Sequence, residues 1–169
     1  MVAANDTNAL CPALTAAQKK GVTVVAYDSD VKGTCRSLFV NQATSDGIGN
    51  ALADDAAALA GSSGDIAILS TTPTATNQNV WIDFMNKRLA AKYPNVKVVA
   101  TVYGNDKPED STNETKGLLD KYPNLKVIVA PTSIGIVAAA KFVDASAKKG
   151  KVFVTGLDRK STRLNSSHT

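Results

Sequence analysis

Glutamate is almost missing from the 169 residues; only Glu109 and Glu114 occur. Histidine occurs once, as His168, so residues 1–157 offer none for acid–base catalysis or for a metal. Aromatic residues are sparse, at 5%. No apolar run reaches the length that spans a bilayer, and no signal peptide opens the chain. Excess charge of one sign is also missing. The formal net charge is +4, but residues 158–169 carry Arg159, Lys160 and Arg163 against Asp158. Without them 16 basic residues face 14 acidic ones, a net of +2 with no basic stripe. That excludes nucleic acid and anionic lipid as obvious partners, and direct membrane insertion with them. The two cysteines, Cys11 and Cys35, are too far apart for a CxxC metal knuckle.

The texture breaks at Asp158. Residues 158–169 are polar and charged, with no hydrophobic period. Their letters resemble a translated sequencing adapter, and they are read as a non-native tail outside the fold. At the other end, Val2-Ala3-Ala4 looks like the end of a strand, so Met1 is expected to fall inside a longer reading frame.

What is present is regular. Apolar runs rich in Val and Ile fall at 22–27, 66–70, 96–102, 127–130 and 152–155. They are nearly continuous in apolar character, which suits parallel strands covered on both faces. Helical patterns lie between them, near 11–20, 45–60, 77–92, 110–121 and 135–149. Pro12 suits the first turn of the first helix, and Thr44 or Ser45 caps the second. Asp110-Ser111-Thr112 suits the start of the fourth. Gly21, Gly61, Pro94, Pro123 and Gly150 supply stops. Strict β-α alternation predicts an α/β fold with a doubly wound parallel sheet. The short run 37–41 follows without a helix between and is read as a crossing from one lobe to another.

In such sheets ligands bind at the carboxyl ends of the strands. Asp28-Ser29-Asp30 follows the first strand. Thr71 to Thr74 and then Thr76-Asn77-Gln78-Asn79 follow the second, and Pro131-Thr132-Ser133 follow the fourth. This edge holds carboxylates, amides and hydroxyls with little positive charge, a set suited to a neutral polyhydroxylated ligand. Trp81 and Tyr27 offer apolar faces to a sugar ring. Each residue also has a plain structural reading. Asp28 and Asp30 can end a strand and satisfy loop N–H groups, Thr76 and Asn77 can cap a helix, and Trp81 can be core. Cys11 at a helix start and Cys35 after the next strand share one edge, so a bridge closing about 25 residues is reasonable, worth roughly 3 kcal/mol. Two buried free thiols are the alternative.

Two motifs mimic other chemistries. The stretch from Val24 to Thr34 resembles the first motif of haloacid-dehalogenase-type phosphatases, with Asp28 as nucleophile, Asp30 as acid/base and Ser70 as a second motif. That chemistry needs further carboxylates for Mg²⁺, and the loop at Pro131-Thr132-Ser133 supplies none. Gly47-Ile48-Gly49 lacks the third glycine of a dinucleotide fingerprint.

With these residues in view, the chain resembles the type I periplasmic sugar-binding proteins of ABC importers, in the branch of rhamnose-binding and autoinducer-2-binding receptors. Asn8 to Leu14, Tyr27 to Asp30, Cys35-Arg36-Ser37, Val40-Asn41-Gln42, Thr74 to Asn79 and Ala130-Pro131-Thr132 carry the likeness. It implies two lobes with a ligand cleft between them, one lobe largely missing here: residues 1–40 in the first lobe with its crossover, 41–157 in the second. It implies ligand contacts from Asp28, Asn77, Gln78, Pro131 and Ser133, with Asp30 and Trp81 as further candidates. Autoinducer receptors resemble Asp at the Asn77 position and Ala at the Ser133 position, so this chain is closer to the rhamnose pattern. The resemblance implies an extracytoplasmic receptor with a membrane permease as partner, no cofactor and no enzymatic activity. The effector domain of a LacI-like repressor shares the fold and is the alternative from another class.

Overall fold

The structure, a computed structural model, describes residues 1–157. The tail reading at 158–169 lies outside the described residues. Helix α1 (Cys11–Lys19) opens with Pro12 in its first turn, and Gly21, at φ 85°, follows its end. Strand β1 (Val25–Tyr27) pairs in parallel with β2 (Leu38–Val40), and the turn Gly33–Cys35 lies between. Val2 bridges Ala26 on the other side of β1. The run at 37–41 is therefore a strand of this small sheet. The strand expected over 22–27 is only three residues long, because Val22 N–H is spent on Ala17 O behind helix α1.

The larger sheet contains β3 (Gly64–Ser70), β4 (Val96–Tyr103), β5 (Leu125–Ala130) and β6 (Phe153–Gly156). All are parallel, in the order β4-β3-β5-β6. The chain moves from β3 outward to β4 and then returns to the other side of β3 as β5. That reversal opens a crevice at the carboxyl ends of β3 and β5. Helix α2 (Ser45–Leu59) and α3 (Thr76–Lys92) cover one face; α4 (Pro108–Lys121) and α5 (Ser133–Asp144) cover the other.

Period-2 geometry divides the strand residues between the faces. Ile66 and Ile68 join α2 and α3, while Ala67 and Leu69 join α4 and α5. Thr44 caps α2 by accepting from Gly47 N–H at 3.3 Å. Gly49 is a packing residue: a Cβ there would sit 2.5 Å from the Trp81 carbonyl of α3. Helix α4 begins at Pro108, earlier than the Asp110 start expected, because the proline's fixed φ suits a first turn. Helix α5 stops at Asp144, short of 149; Ser146 Oγ then donates to Val143 O and accepts from Lys148 N–H.

Candidate functional site

Between the two sheets lies a cleft of about 870 Å³. Asp28 reaches it from the end of β1. Its backbone has φ 58°, a left-handed conformation that aspartate tolerates better than most residues, and its N–H donates to Val40 O. The Asp28 carboxylate accepts from Gln42 Nε2 at 3.0 Å and, more loosely, from Asn77 Nδ2 at 3.5 Å. Gln42 sits in the connection after β2, and Asn77 in the first turn of α3. The second contact therefore joins the loop after β1 to helix α3 across the cleft. Thr7 and Thr76 add a second link between the two sides, hydroxyl to hydroxyl at 2.8 Å.

Gln78 is buried and has only half its amide to offer. Its Oε1 accepts from Ser70 Oγ at 2.7 Å and from Thr71 N–H at 3.0 Å, tying α3 to the end of β3. A backbone N–H can only donate, so the accepting atom is fixed as the oxygen. Nε2, which makes no hydrogen bond among the described residues, is left as a donor. Asn77 Oδ1 accepts one hydrogen bond, from Gln78 N–H at 2.8 Å. Pro131 and Ser133 follow β5 and line the same cleft. So Asp28, Asn77, Gln78, Pro131 and Ser133 converge from two sheets and three strand ends.

Asp30 and Trp81 differ. Asp30 does not line the cleft. Arg36 grips its carboxylate through two bonds, Nε at 2.6 Å and Nη2 at 2.8 Å, and Val31 N–H adds a third. Trp81 touches the cleft but is 3% exposed, within the core shared by α2 and α3. The cysteines form a disulfide, Cys11–Cys35, with Cα atoms 5.2 Å apart. The phosphatase-like arrangement does not assemble. Asp28 ends a strand of the small sheet and Ser70 a strand of the large one, and Ser70 is fully buried against Gln78.

Four polar lining residues escaped the sequence reading: Asn5, Gln42, Asn105 and Asp106. Asn5 and Asn105-Asp106 follow the strand-like Val2 segment and β4. The post-strand rule, applied to those segments too, would have found them. Among the described residues lining the cleft, the formal charges are Asp28 and Asp106, with no Lys or Arg. A second hollow of about 520 Å³ between α4 and α5 has mostly apolar walls, including Ile134, Val137 and Phe142, and shares only Ser133 with the cleft's polar set.

The periplasmic binding protein domain family matches residues 1–165. Among solved structures, an ABC transporter solute-binding protein of Clostridium phytofermentas with bound L-rhamnose is 45% identical, with a TM-score of 0.89 over 92% of this chain and 49% of its own. A sugar ABC transporter protein of Actinomyces odontolyticus is 46% identical, with a TM-score of 0.72 over 93% of this chain and 51% of its own. A solute-binding protein of Burkholderia graminis in complex with D-arabinose is 29% identical, with a TM-score of 0.82 over 90% and 53%. The chain thus spans about half the length of these proteins. Sugar-binding proteins of this family are non-enzymatic, extracytoplasmic parts of ABC importers that work with membrane permeases. No helix among the described residues is long and apolar enough to cross a membrane. With an α/β fold of parallel sheets and these matches, the chain belongs to the periplasmic binding protein family, among the type I sugar-binding proteins of ABC transporters.

Proposed function

We propose that this protein is an extracytoplasmic receptor of an ABC importer that takes L-rhamnose or a similar neutral deoxy sugar into the cleft between its lobes. One observation carries the reading. Asp28 from the small lobe and Asn77, Gln78, Pro131 and Ser133 from the large lobe line one cavity whose only charged lining residues, among those described, are acidic. Carboxylate oxygens accept from hydroxyl groups, and amide N–H groups donate to ring and hydroxyl oxygens. An anionic ligand would meet Asp28 and Asp106 with no lining cation to offset them. The L-rhamnose bound by the 45%-identical Clostridium phytofermentas protein supports the choice of sugar.

The mechanism contains no covalent step. Sugar binds Asp28 on one lobe and Asn77 and Gln78 on the other, replacing the loose Asp28–Asn77 contact with ligand bridges. A ligand held by both walls favours the closed form by its differential affinity for the two states. The closed form then docks on the permease. The Cys11–Cys35 bridge supports an oxidising compartment, and so a receptor outside the cytoplasm over a cytosolic repressor domain. Calorimetry with L-rhamnose tests the reading. Asp28→Ala is expected to weaken binding about ten- to a hundredfold, as loss of a charged hydrogen-bonding group does, with an unchanged circular dichroism spectrum. Unaltered affinity in Asp28→Ala refutes the site.

A further inference from the structure

Asp106 lies on the loop after β4. Asn105 and Asp106 both have positive φ, 51° and 54°, on consecutive residues. Asparagine and aspartate adopt this left-handed conformation more readily than other side chains do. The loop is rigidly hung. Gly104 N–H donates to Ser70 O at 2.9 Å, Asn105 N–H to Thr71 O at 2.8 Å, and Asn105 Nδ2 to Asp110 Oδ2 at 3.1 Å. The end of β4 is thereby tied to the end of β3 and to the first turn of α4.

The Asp106 carboxylate is divided between two roles. Oδ1 accepts from the hydroxyl of Thr132 at 3.0 Å, and Thr132 is 7% exposed. Oδ2 takes no hydrogen bond among the described residues, while Asp106 lines the cleft beside Pro131 and Ser133. One oxygen fixes the side chain and the other is a pre-oriented acceptor. Such preorganisation lowers the entropic cost of holding a ligand group.

We infer that Asp106 is a specificity-determining ligand residue that accepts a hydrogen bond from a sugar hydroxyl through Oδ2, on the wall contributed by the large lobe. The inference rests on the sugar-receptor reading above. It makes Asp106 a carboxylate acceptor facing Asp28 across the cleft. Gln78 Oε1 already accepts two hydrogen bonds, so the Gln78 amide presents only its Nε2 donor to the sugar.

Asp106→Asn isolates the claim. Asparagine keeps an oxygen for Thr132 and tolerates positive φ, but puts a donor where Oδ2 was. Thr132→Val does the converse, removing the clasp and leaving the carboxylate. Calorimetry with L-rhamnose and its mono-deoxy analogues should show Asp106→Asn weakening L-rhamnose binding by about tenfold or more, at unchanged Tm. The loss should vanish for the analogue that lacks the hydroxyl in contact. Thr132→Val should cost less than Asp106→Asn. If Asp106→Asn binds L-rhamnose as the unsubstituted protein does, or loses affinity equally for every analogue, the inference fails while the receptor reading stands. If the unsubstituted protein binds none of these sugars, the receptor reading fails and takes this inference with it.

Discussion

In the four-stranded sheet Ile66, Ile68, Leu69, Val127, Ile128 and Val129 are fully buried between two helical layers. The two-stranded sheet has no such sandwich. Its core is Ala4, Ala26, Val31 and Cys35, with Val2, Leu14 and Phe39 half-buried around it, and its outer residues Leu38 and Val40 are about half exposed. Covalent and polar ties take over where aliphatic burial is thin. The disulfide joins α1 to the turn before β2, and Arg36 clamps Asp30 while lying over the Phe39 ring at 5.3 Å. Small cores commonly need such staples, because too little apolar surface leaves water to offset chain entropy. The proposed binding residues divide across this contrast: Asp28 follows a strand of the stapled sheet, and Asn77, Gln78 and Ser133 follow strands of the packed one.

The sharpest way to break the contrast is to hollow out the packed lobe. Ile68→Ala removes a fully buried side chain from the core that β3 shares with α2 and α3. It is expected to cost about 4 kcal/mol, in the upper half of the range for such truncations, read by urea denaturation. A cost under about 1 kcal/mol would mean the layer is loosely packed, and the contrast would fail.

The stapled lobe should yield to a different cut. Cys35→Ala is expected to cost about 3 kcal/mol on the chain-entropy account of a loop of this size. Hydrogen exchange locates the damage. Amides of β1 and β2 should lose protection while those of Ile68 and Val129 keep theirs. Equal loosening of both sheets would show that the lobes unfold as one unit.

The sequence made the packed lobe easy to read and the stapled lobe hard. Long Val- and Ile-rich runs with Gly and Pro between them announce strands β3 to β6 and their helices. The short β1 shows the limit, since Val22 and Thr23 fit a strand but lack a partner. At the site, residue type and post-strand position pointed to Asp28, Asn77 and Gln78. Neither shows which polar atoms are already engaged. Asp30 looks like Asp28 in the sequence, yet Arg36, brought round by the Gly33–Cys35 turn, occupies its oxygens. Gln78 reads as a free amide, yet half of it belongs to Ser70 and Thr71. Such engagement depends on three-dimensional neighbours, which spacing along the chain does not encode.

The smallest effect asks whether the packed lobe has polar ties of its own. Asp54 of α2 accepts from Arg88 of α3 through Nε at 2.9 Å and Nη2 at 2.7 Å, and from Tyr93 Oη at 2.8 Å. The Arg88 hydrogen bonds, aided by Tyr93 and opposed by partial burial, hold the Asp54 carboxyl well below the ordinary carboxylate range. A carboxylate depressed in the folded state stabilises fully above its unfolded pKa, and that stabilisation fades as pH falls toward the folded value. Hydrophobic burial carries no such dependence. Asp54→Asn should therefore lower Tm at neutral pH, by at most a few degrees because the pair is about one-third exposed to screening water. The Tm gap between the parent and Asp54→Asn should stay constant down to about pH 5 and narrow below about pH 4. A gap that stays level through the acid range would show that Arg88 and Tyr93 hold Asp54 no better than water does, and that this tie adds nothing to the packed lobe's hydrophobic burial.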